Sequence, residues 1–253
     1  MVLLMAFSCY IILMGIKVVG SGFLLFSLSN LLLNVPSFHA LVLVLDTMNI
    51  LKKYFNNTRK PEGKLGKMMV NGMNGSSHAA LAEWGFHFIN INRNDTALDC
   101  GCGGGANVKR LLELCDKAYG IDYSEVSVQK SKEINADAIK QGRCEIYQCD
   151  VRKLPFDNDA FNVITAFETV YFWQEIDKAF AEIYRVLRSG GTFSITNEST
   201  GTDKTSVKFS QIIDGMKLYT GKDLKDLLEN AGFTDIEIHQ HGTKPWLNVT
   251  ARK

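Results

Sequence analysis

The sequence predicts an α/β fold built on a parallel sheet, on three observations. Short apolar runs end repeatedly in an acidic residue, amphipathic helical segments separate them, and a glycine-rich turn joins the first run to the first helix. The turn is the sharpest signal. Ala97-Leu98 runs into Asp99-Cys100-Gly101-Cys102-Gly103-Gly104-Gly105, and Asn107 to Leu112 follows as a helix. Glycine there lets the backbone take positive φ and approach a ligand closely. The start of the helix offers unpaired N–H groups and a positive dipole end to an anion.

The later elements follow from the same patterning. Ala118 to Ile121 reads as the second strand and ends at Asp122, roughly 20 residues beyond the turn, where an acid can accept hydrogen bonds from ribose hydroxyls. Glu145 to Cys149 reads as the third, ending at Asp150-Val151 with Leu154-Pro155-Phe156 beyond. Phe161 to Phe167 is the fourth and leads to Glu168 and the cluster Tyr171-Phe172-Trp173. A helix begins near Ile176 and passes through Tyr184-Arg185-Val186-Leu187 toward a turn at Ser189-Gly190-Gly191. Phe193 to Thr196 is the fifth strand, with Asn197-Glu198 at its tip, and the polar stretch Ser199 to Ser210 reads as a mobile loop. Leu224, Leu227 and Leu228 mark one face of a helix from Gly221 to Asn230. A strand over Asp235–His239, a turn at 240–243 and a last strand over Trp246–Ala251 close the chain.

The turn alone is ambiguous, because Gly101-x-Gly103-x-x-Ala106 also satisfies the dinucleotide fingerprint. Its company decides. The Asp99–Gly105 turn, Asp122, Asp150-Val151 with Leu154-Pro155-Phe156, and Arg185-Val186-Leu187 through Gly190-Gly191 stand in order along the chain. In these motifs the chain resembles the class I S-adenosylmethionine (SAM)-dependent methyltransferases, with a type 11-like domain. The nearest flavour is the small-molecule enzymes similar to the ubiquinone/menaquinone C-methyltransferases. The resemblance runs from about Lys52 to the C-terminus. Ser189 departs from it, since the family more often carries proline before the two glycines, where it stiffens a turn.

The resemblance implies a Rossmann-like doubly wound seven-stranded sheet with an antiparallel last strand, preceded by a helical N-terminal cap. The expected organisation is a hydrophobic segment over 1–47, the cap over 48–94 and the SAM-binding methyltransferase domain over 95–253. It also implies SAM as cofactor, without a metal. Gly101, Cys102 and Gly103 would contact its methionine part through the backbone, and Asp99 would support the ammonium. Asp122 would bind both ribose hydroxyls and Tyr123 would pack on the adenine. Asp150 would accept from the adenine amino group, the Val151 N–H would read a ring nitrogen, and Phe167 completes the cofactor-binding set. The implied reaction is in-line methyl transfer to a small-molecule acceptor, which is mainly a matter of alignment. Two other readings stay open: an NAD(P)-dependent oxidoreductase using the same loop, and a non-catalytic SAM-binding protein tethered to a membrane. Asp150-Val151 and Arg185–Gly191 speak against the first.

No catalytic residue is evident. His78 is the best candidate general base, since imidazole titrates near working pH, although a structural histidine is the commoner case; His87 is weaker. Lys64 to Asn74 and His78 to Ile89 read as helices, with Trp84 and Phe88 as core of the cap and Asn71, Asn74 and His78 between the two. Glu168, Tyr171, Phe172 and Trp173 fall where open α/β sheets bind ligands and suit an apolar or planar acceptor, or simply pack on one another.

The chain has 253 residues and a net charge of +1, enough for one large domain and no signature of a nucleic-acid partner. Cys100 and Cys102 stand as C-x-C without a second pair at zinc-ribbon spacing, so they read as buried thiols of a reducing compartment. Between Met1 and Leu45 the only charged residue is Lys17. Residues 1–47 therefore read as a membrane anchor, as an over-extended start ahead of Met48, or as a packed extension. Lys52, Lys53, Arg59, Lys60, Lys64 and Lys67 follow. If the segment inserts, they place the catalytic domain on the cytoplasmic side; otherwise the protein is cytoplasmic.

Overall fold

In the computed structural model the residues described are 52–73 and 76–253, so the hydrophobic segment 1–47 and Asn74 lie outside them. The chain divides into Met1–Tyr54 and Phe55–Lys253, and the account below concerns the second unit. The sheet grows outward from β1 (Thr96–Cys100), all of which is buried after Thr96. β2 (Lys117–Asp122) and β3 (Cys144–Gln148) extend it parallel on one side. β4 (Phe161–Phe167) and β5 (Leu187–Asn197) extend it parallel on the other. β7 (Leu247–Arg252) then inserts antiparallel between β5 and β6 (Thr234–Gln240), giving the seven-stranded order β3-β2-β1-β4-β5-β7-β6. This is the Rossmann-like doubly wound sheet with a reversed last strand that the motifs imply.

The described helices are α1 (Gly63–Met73) and α2 (Ser76–Phe86), then α3 (Ala106–Leu114), α4 (Glu125–Ile134), α5 (Ala136–Lys140), α6 (Ile176–Val186), α7 (Lys204–Ser210) and α8 (Gly221–Asn230). Residues 52–59 are also helical. Leu98, Ile164, Phe193 and Ala251 are paired in register across four strands. Their side chains share one face with Phe180, Ile183, Leu224 and Leu228 of α6 and α8. Alternation sends Ala97 and Val163 to the other face, into a cluster with Val108 and Leu111 of α3 and Val128 of α4. Apolar strands covered on both sides explain why their sequences read as continuous runs.

The reverse face near α2 is polar. Asn248 donates its amide to Ser194 Oγ at 3.0 Å and Thr196 Oγ1 at 2.9 Å. α2 lies close against this strip: a Cβ on Gly85 would sit 2.5 Å from Thr196 Oγ1 and 2.9 Å from Phe167 Cε1. Gly85→Ala should therefore destabilise the fold, because overpacking costs about 1–3 kcal/mol against about 1 kcal/mol gained in helix propensity. A lower urea midpoint is the expected result; a raised one would mean that α2 shifts freely.

Four expectations are corrected. The Ser199–Ser210 stretch contains helix α7 rather than a plain loop, because Asp203 caps it by accepting from the Ser206 N–H and the Ser199 hydroxyl, each at 2.9 Å. β5 begins at Leu187 rather than Phe193: Leu187 pairs with Phe161, and the register shift before Val163↔Thr192 absorbs Arg188–Gly191 as an irregularity within the strand. α2 stops at Phe86, and residues 87–89 tighten into turns, with the N–H groups of His87, Phe88 and Ile89 each bonding three residues back. Cys100 closes β1 rather than lying in the loop.

Candidate functional site

The site begins where β1 ends. Gly101 and Cys102 both donate their N–H to the Ile121 carbonyl at 2.8 Å, so the loop folds over the end of β2. Gly101, Gly103 and Gly105 take φ of 77°, 50° and 83°, the left-handed region that glycine reaches without penalty. Two of them are also sterically walled. A Cβ on Gly101 would lie 2.2 Å from Thr169 Oγ1, and one on Gly105 would lie 2.4 Å from Ser131 Oγ. A Cβ on Gly103 would meet nothing within 4 Å, so its backbone borders open space. α3 starts directly behind at Ala106.

Asp122 ties the loop to the tip of β2. Its carboxylate accepts from the Gly103 N–H at 3.0 Å and the Ser124 N–H at 2.8 Å while only 8 % exposed. Burial raises its pKa to about 6 against those hydrogen bonds. Asp99 is buried beside it, accepts from Thr165 Oγ1 at 2.7 Å, and is raised to about 7 by burial, with the Asp122 charge adding to the effect. Tyr123 lies at the rim, 37 % exposed, its hydroxyl donating to the Arg59 carbonyl at 2.7 Å. Ser124 donates to the Pro61 carbonyl at 2.6 Å, so residues 59–61 are strapped to the β2 tip. Asp150 and Val151 follow β3, beside Cys149, whose N–H reaches the Asp122 carbonyl at 3.1 Å. Arg152 holds the Asp150 carboxylate through Nε at 3.0 Å and Nη2 at 2.6 Å, which keeps its pKa low.

These residues lie on the β1–β2–β3 half. Phe167, Glu168 and Glu198 lie on the β4–β5 half, beyond the β1/β4 switch where the strand order reverses, and α2, which carries His78, contacts β5. Phe167 is buried against Phe86, with ring centroids 5.0 Å apart. Glu168 accepts from Tyr171 Oη at 3.0 Å and from the Glu198 N–H, and burial pushes its pKa to about 8. Tyr171 and Trp173 are buried, Trp173 donating to Thr169 Oγ1 at 3.1 Å, while Phe172 stays half-buried. His87 is exposed and donates Nδ1–H to the Glu83 carbonyl at 2.7 Å, and Asn71 is exposed too. Trp84 and Phe88 pack on the closing hairpin, Trp84 near Trp246 at 5.8 Å and Phe88 stacked on His239 at 4.0 Å.

Thr169, Thr165, Arg152, Ser131 and Asn135 had no signal in the sequence. Asn135 backs the loop by donating to the Gly105 carbonyl at 3.1 Å, across 30 residues. Contacts that long-range leave no local pattern, whereas Arg152 stands only two residues from the Asp150 it holds.

Asp99, Asp122 and Glu168 hold protons in the fold well above the ordinary carboxylate range, so these three groups bind more protons in the folded than in the unfolded chain between about pH 4 and 8. Their contribution is therefore greatest at the acid end of that window and falls as pH rises, by about 1.4 kcal/mol per unit of pKa difference. The wild-type unfolding midpoint should drop between pH 5 and 8 more than that of Asp99→Asn. Parallel profiles would refute the assignment to Asp99.

Residues 98–195 match the family described as methyltransferase domain. An uncharacterized methyltransferase, YdaC of Bacillus subtilis, is 24% identical over 186 residues, covering 73% of this chain and 96% of that protein. A sterol 24-C-methyltransferase of Candida albicans is 24% identical over 157 residues, covering 58% of this chain and 42% of its own length. The chain thus spans nearly all of the first and less than half of the second. The solved structure of a SAM-dependent methyltransferase from Aquifex aeolicus shares the fold at a TM-score of 0.61 and 19% identity, over 73% of this chain and 97% of that one.

Proposed function

We propose that this chain, whose residues 98–195 match the methyltransferase-domain family, is a class I SAM-dependent methyltransferase that transfers the methyl group of that cofactor to a small-molecule acceptor. The observation that carries this reading is Asp122 bonded to the Gly103 N–H, with open space over Gly103 that a Cβ would fill. A backbone cradle beside two buried carboxylates suits a ligand that is cationic at one end and carries ribose hydroxyls at the other. The Gly101, Cys102 and Gly103 backbone at the α3 N-terminus would hold the carboxylate of the methionine part, and Asp99 its ammonium. Asp122 would take the ribose hydroxyls. Tyr123 would cover the adenine, and Asp150 with the Val151 N–H would read its edge. Phe167 would close the pocket floor.

When bound, SAM supplies a methyl group activated on a sulfonium. The residues' part is to hold it in line with the acceptor and to exclude water, which lowers the barrier by positioning. Phe172 and the neighbouring aromatics favour an apolar or planar acceptor, and the sterol methyltransferase relative points the same way. Among the described residues no helix is long and apolar enough to cross a membrane, so any tether would come from residues 1–47, with the catalytic unit facing the cytoplasm. The test is the full chain with methyl-labelled SAM and a small-molecule extract of cells that express it. Label should pass to a small molecule in the wild type; none passing would overturn the reading. SAM, and not NAD, should bind.

A further inference from the structure

The turn that follows β3 is held from two sides. It closes on itself, the Lys153 N–H donating to the Asp150 carbonyl at 3.0 Å. It is also pinned to α6: the Leu154 N–H donates to Glu182 at 2.8 Å, and Arg185 donates to the Leu154 carbonyl at 3.1 Å. Its approach runs along the tip of β2. There the Cys149 N–H meets the Asp122 carbonyl at 3.1 Å, and Gln148 Nε2 donates to the Tyr123 carbonyl at 3.3 Å. Asp150 is the next residue, at the same strand ends as Asp122.

Arg152 grips the Asp150 carboxylate on both oxygens. Oδ1 accepts from the Arg152 backbone N–H at 2.9 Å and from Nε at 3.0 Å. Oδ2 accepts from Nη2 at 2.6 Å, with Nε also within 3.1 Å. A carboxylate offers about four lone-pair directions, and the bonds among the described residues leave Asp150 one, on Oδ2. Arg152 is itself held at its far end. Its Nη1 donates to one oxygen of Glu175, whose other oxygen takes Lys178 Nζ. Glu175 stands at the N-cap position of α6 with φ of 48°, left-handed for a non-glycine residue, a strain that gathers at working sites. Arg152 is 34% exposed, and Asp150 and Glu175 are 47% and 48% exposed, where ion pairs contribute little to stability. What the grip changes is the direction in which Asp150 can still accept.

Resting on the cofactor reading above, in which Asp150 meets the adenine amino group, we propose that Arg152 is the positioning residue that makes this site select a 6-amino purine over a 6-oxo purine, with Glu175 holding Arg152. A carboxylate fixed with one open acceptor direction takes one amino hydrogen. A 6-oxo purine brings a carbonyl oxygen to that place, so two acceptors face each other and neither is paired. A loose carboxylate discriminates less, because it can turn to accept the ring N–H that a 6-oxo purine carries. The arginine fork removes that freedom by bonding both oxygens in parallel.

Calorimetric titration of the full chain with S-adenosylhomocysteine and S-inosylhomocysteine tests this, since the two differ only at the purine edge. Wild type should bind the adenosyl compound at least about 30-fold more tightly. Arg152→Met should bring that ratio below about fivefold, chiefly by weakening the adenosyl compound, with an unfolding midpoint near that of wild type. Arg152→Lys keeps the charge without the fork; it should show the same collapse, and it decides alone if Arg152→Met fails to fold. Glu175→Ala should lower the ratio too, and an unchanged ratio there overturns its part. A merely structural arginine would weaken both compounds alike. A ratio kept in Arg152→Met, or restored by lysine, overturns the role of the fork while the cofactor reading stands. A wild type that binds both compounds equally removes Asp150 from the purine edge, and one that binds neither overturns the cofactor reading. Either result takes the Arg152 assignment with it.

Discussion

Asp122→Ala should weaken SAM binding by about 100-fold or more while the sheet stays folded. The carboxylate does two jobs that no neighbour duplicates. It holds Gly103 by its N–H at 3.0 Å, which ties the loop to β2, and in the proposed reading it takes the ribose hydroxyls. Hydrogen bonds to a charged group contribute about 1.5–3 kcal/mol each, and about 1.4 kcal/mol is a tenfold change in affinity. Alanine also removes a buried acid whose pKa stands near 6, so relief from burying charge at neutral pH offsets much of the loss of its bonds to the Gly103 and Ser124 N–H groups. Calorimetric titration of the full chain should show weakened SAM binding with an unfolding midpoint near that of wild type. Asp122→Asn, which keeps one acceptor oxygen, should fall between. Unaltered affinity in the alanine variant would remove Asp122 from the site.

The glycine loop should separate folding from binding residue by residue. Gly101→Ala places a Cβ 2.2 Å from Thr169 Oγ1 and 2.8 Å from its Cβ, on a residue with φ of 77°. The left-handed penalty is about 1–2 kcal/mol and overpacking adds about 1–3 kcal/mol, so the variant should unfold at markedly lower denaturant. Gly103→Ala carries the backbone penalty alone, because nothing lies within 4 Å of its Cβ. In the proposed reading that empty space takes the cofactor's methionine end. Gly103→Ala should thus lose about 1 kcal/mol of stability but more than tenfold in SAM affinity. The check is paired: urea unfolding for stability, calorimetry for binding. Equal losses of stability in both variants, with SAM affinity retained in Gly103→Ala, would mean that the loop is structural only.

Much of this was legible along the chain because it is local. An apolar run, an acid at its end and a glycine turn before a helix are neighbours in sequence, and they are neighbours in the fold. The doubly wound sheet with its antiparallel last strand came from the family resemblance that these local motifs carry. Helix α7 was hidden in a polar stretch because its stability comes from the Asp203 cap and not from a periodic apolar face. The long β5 was hidden because Arg188–Gly191 looks like a turn until Leu187 pairs with Phe161.

The sequence by itself determined the individual strands, the glycine loop and the acids at the strand ends, since each rests on residues a few positions apart, while the order of the sheet came from the family resemblance. Only the tertiary structure decided what stands against them. Thr169 walls Gly101, Pro61 meets Ser124 across 63 residues, and Gly85 of α2 lies against Thr196 of β5. Such pairings come from how the layers pack. The pattern of side chains within one segment shows which face it buries, but not which distant residue meets that face.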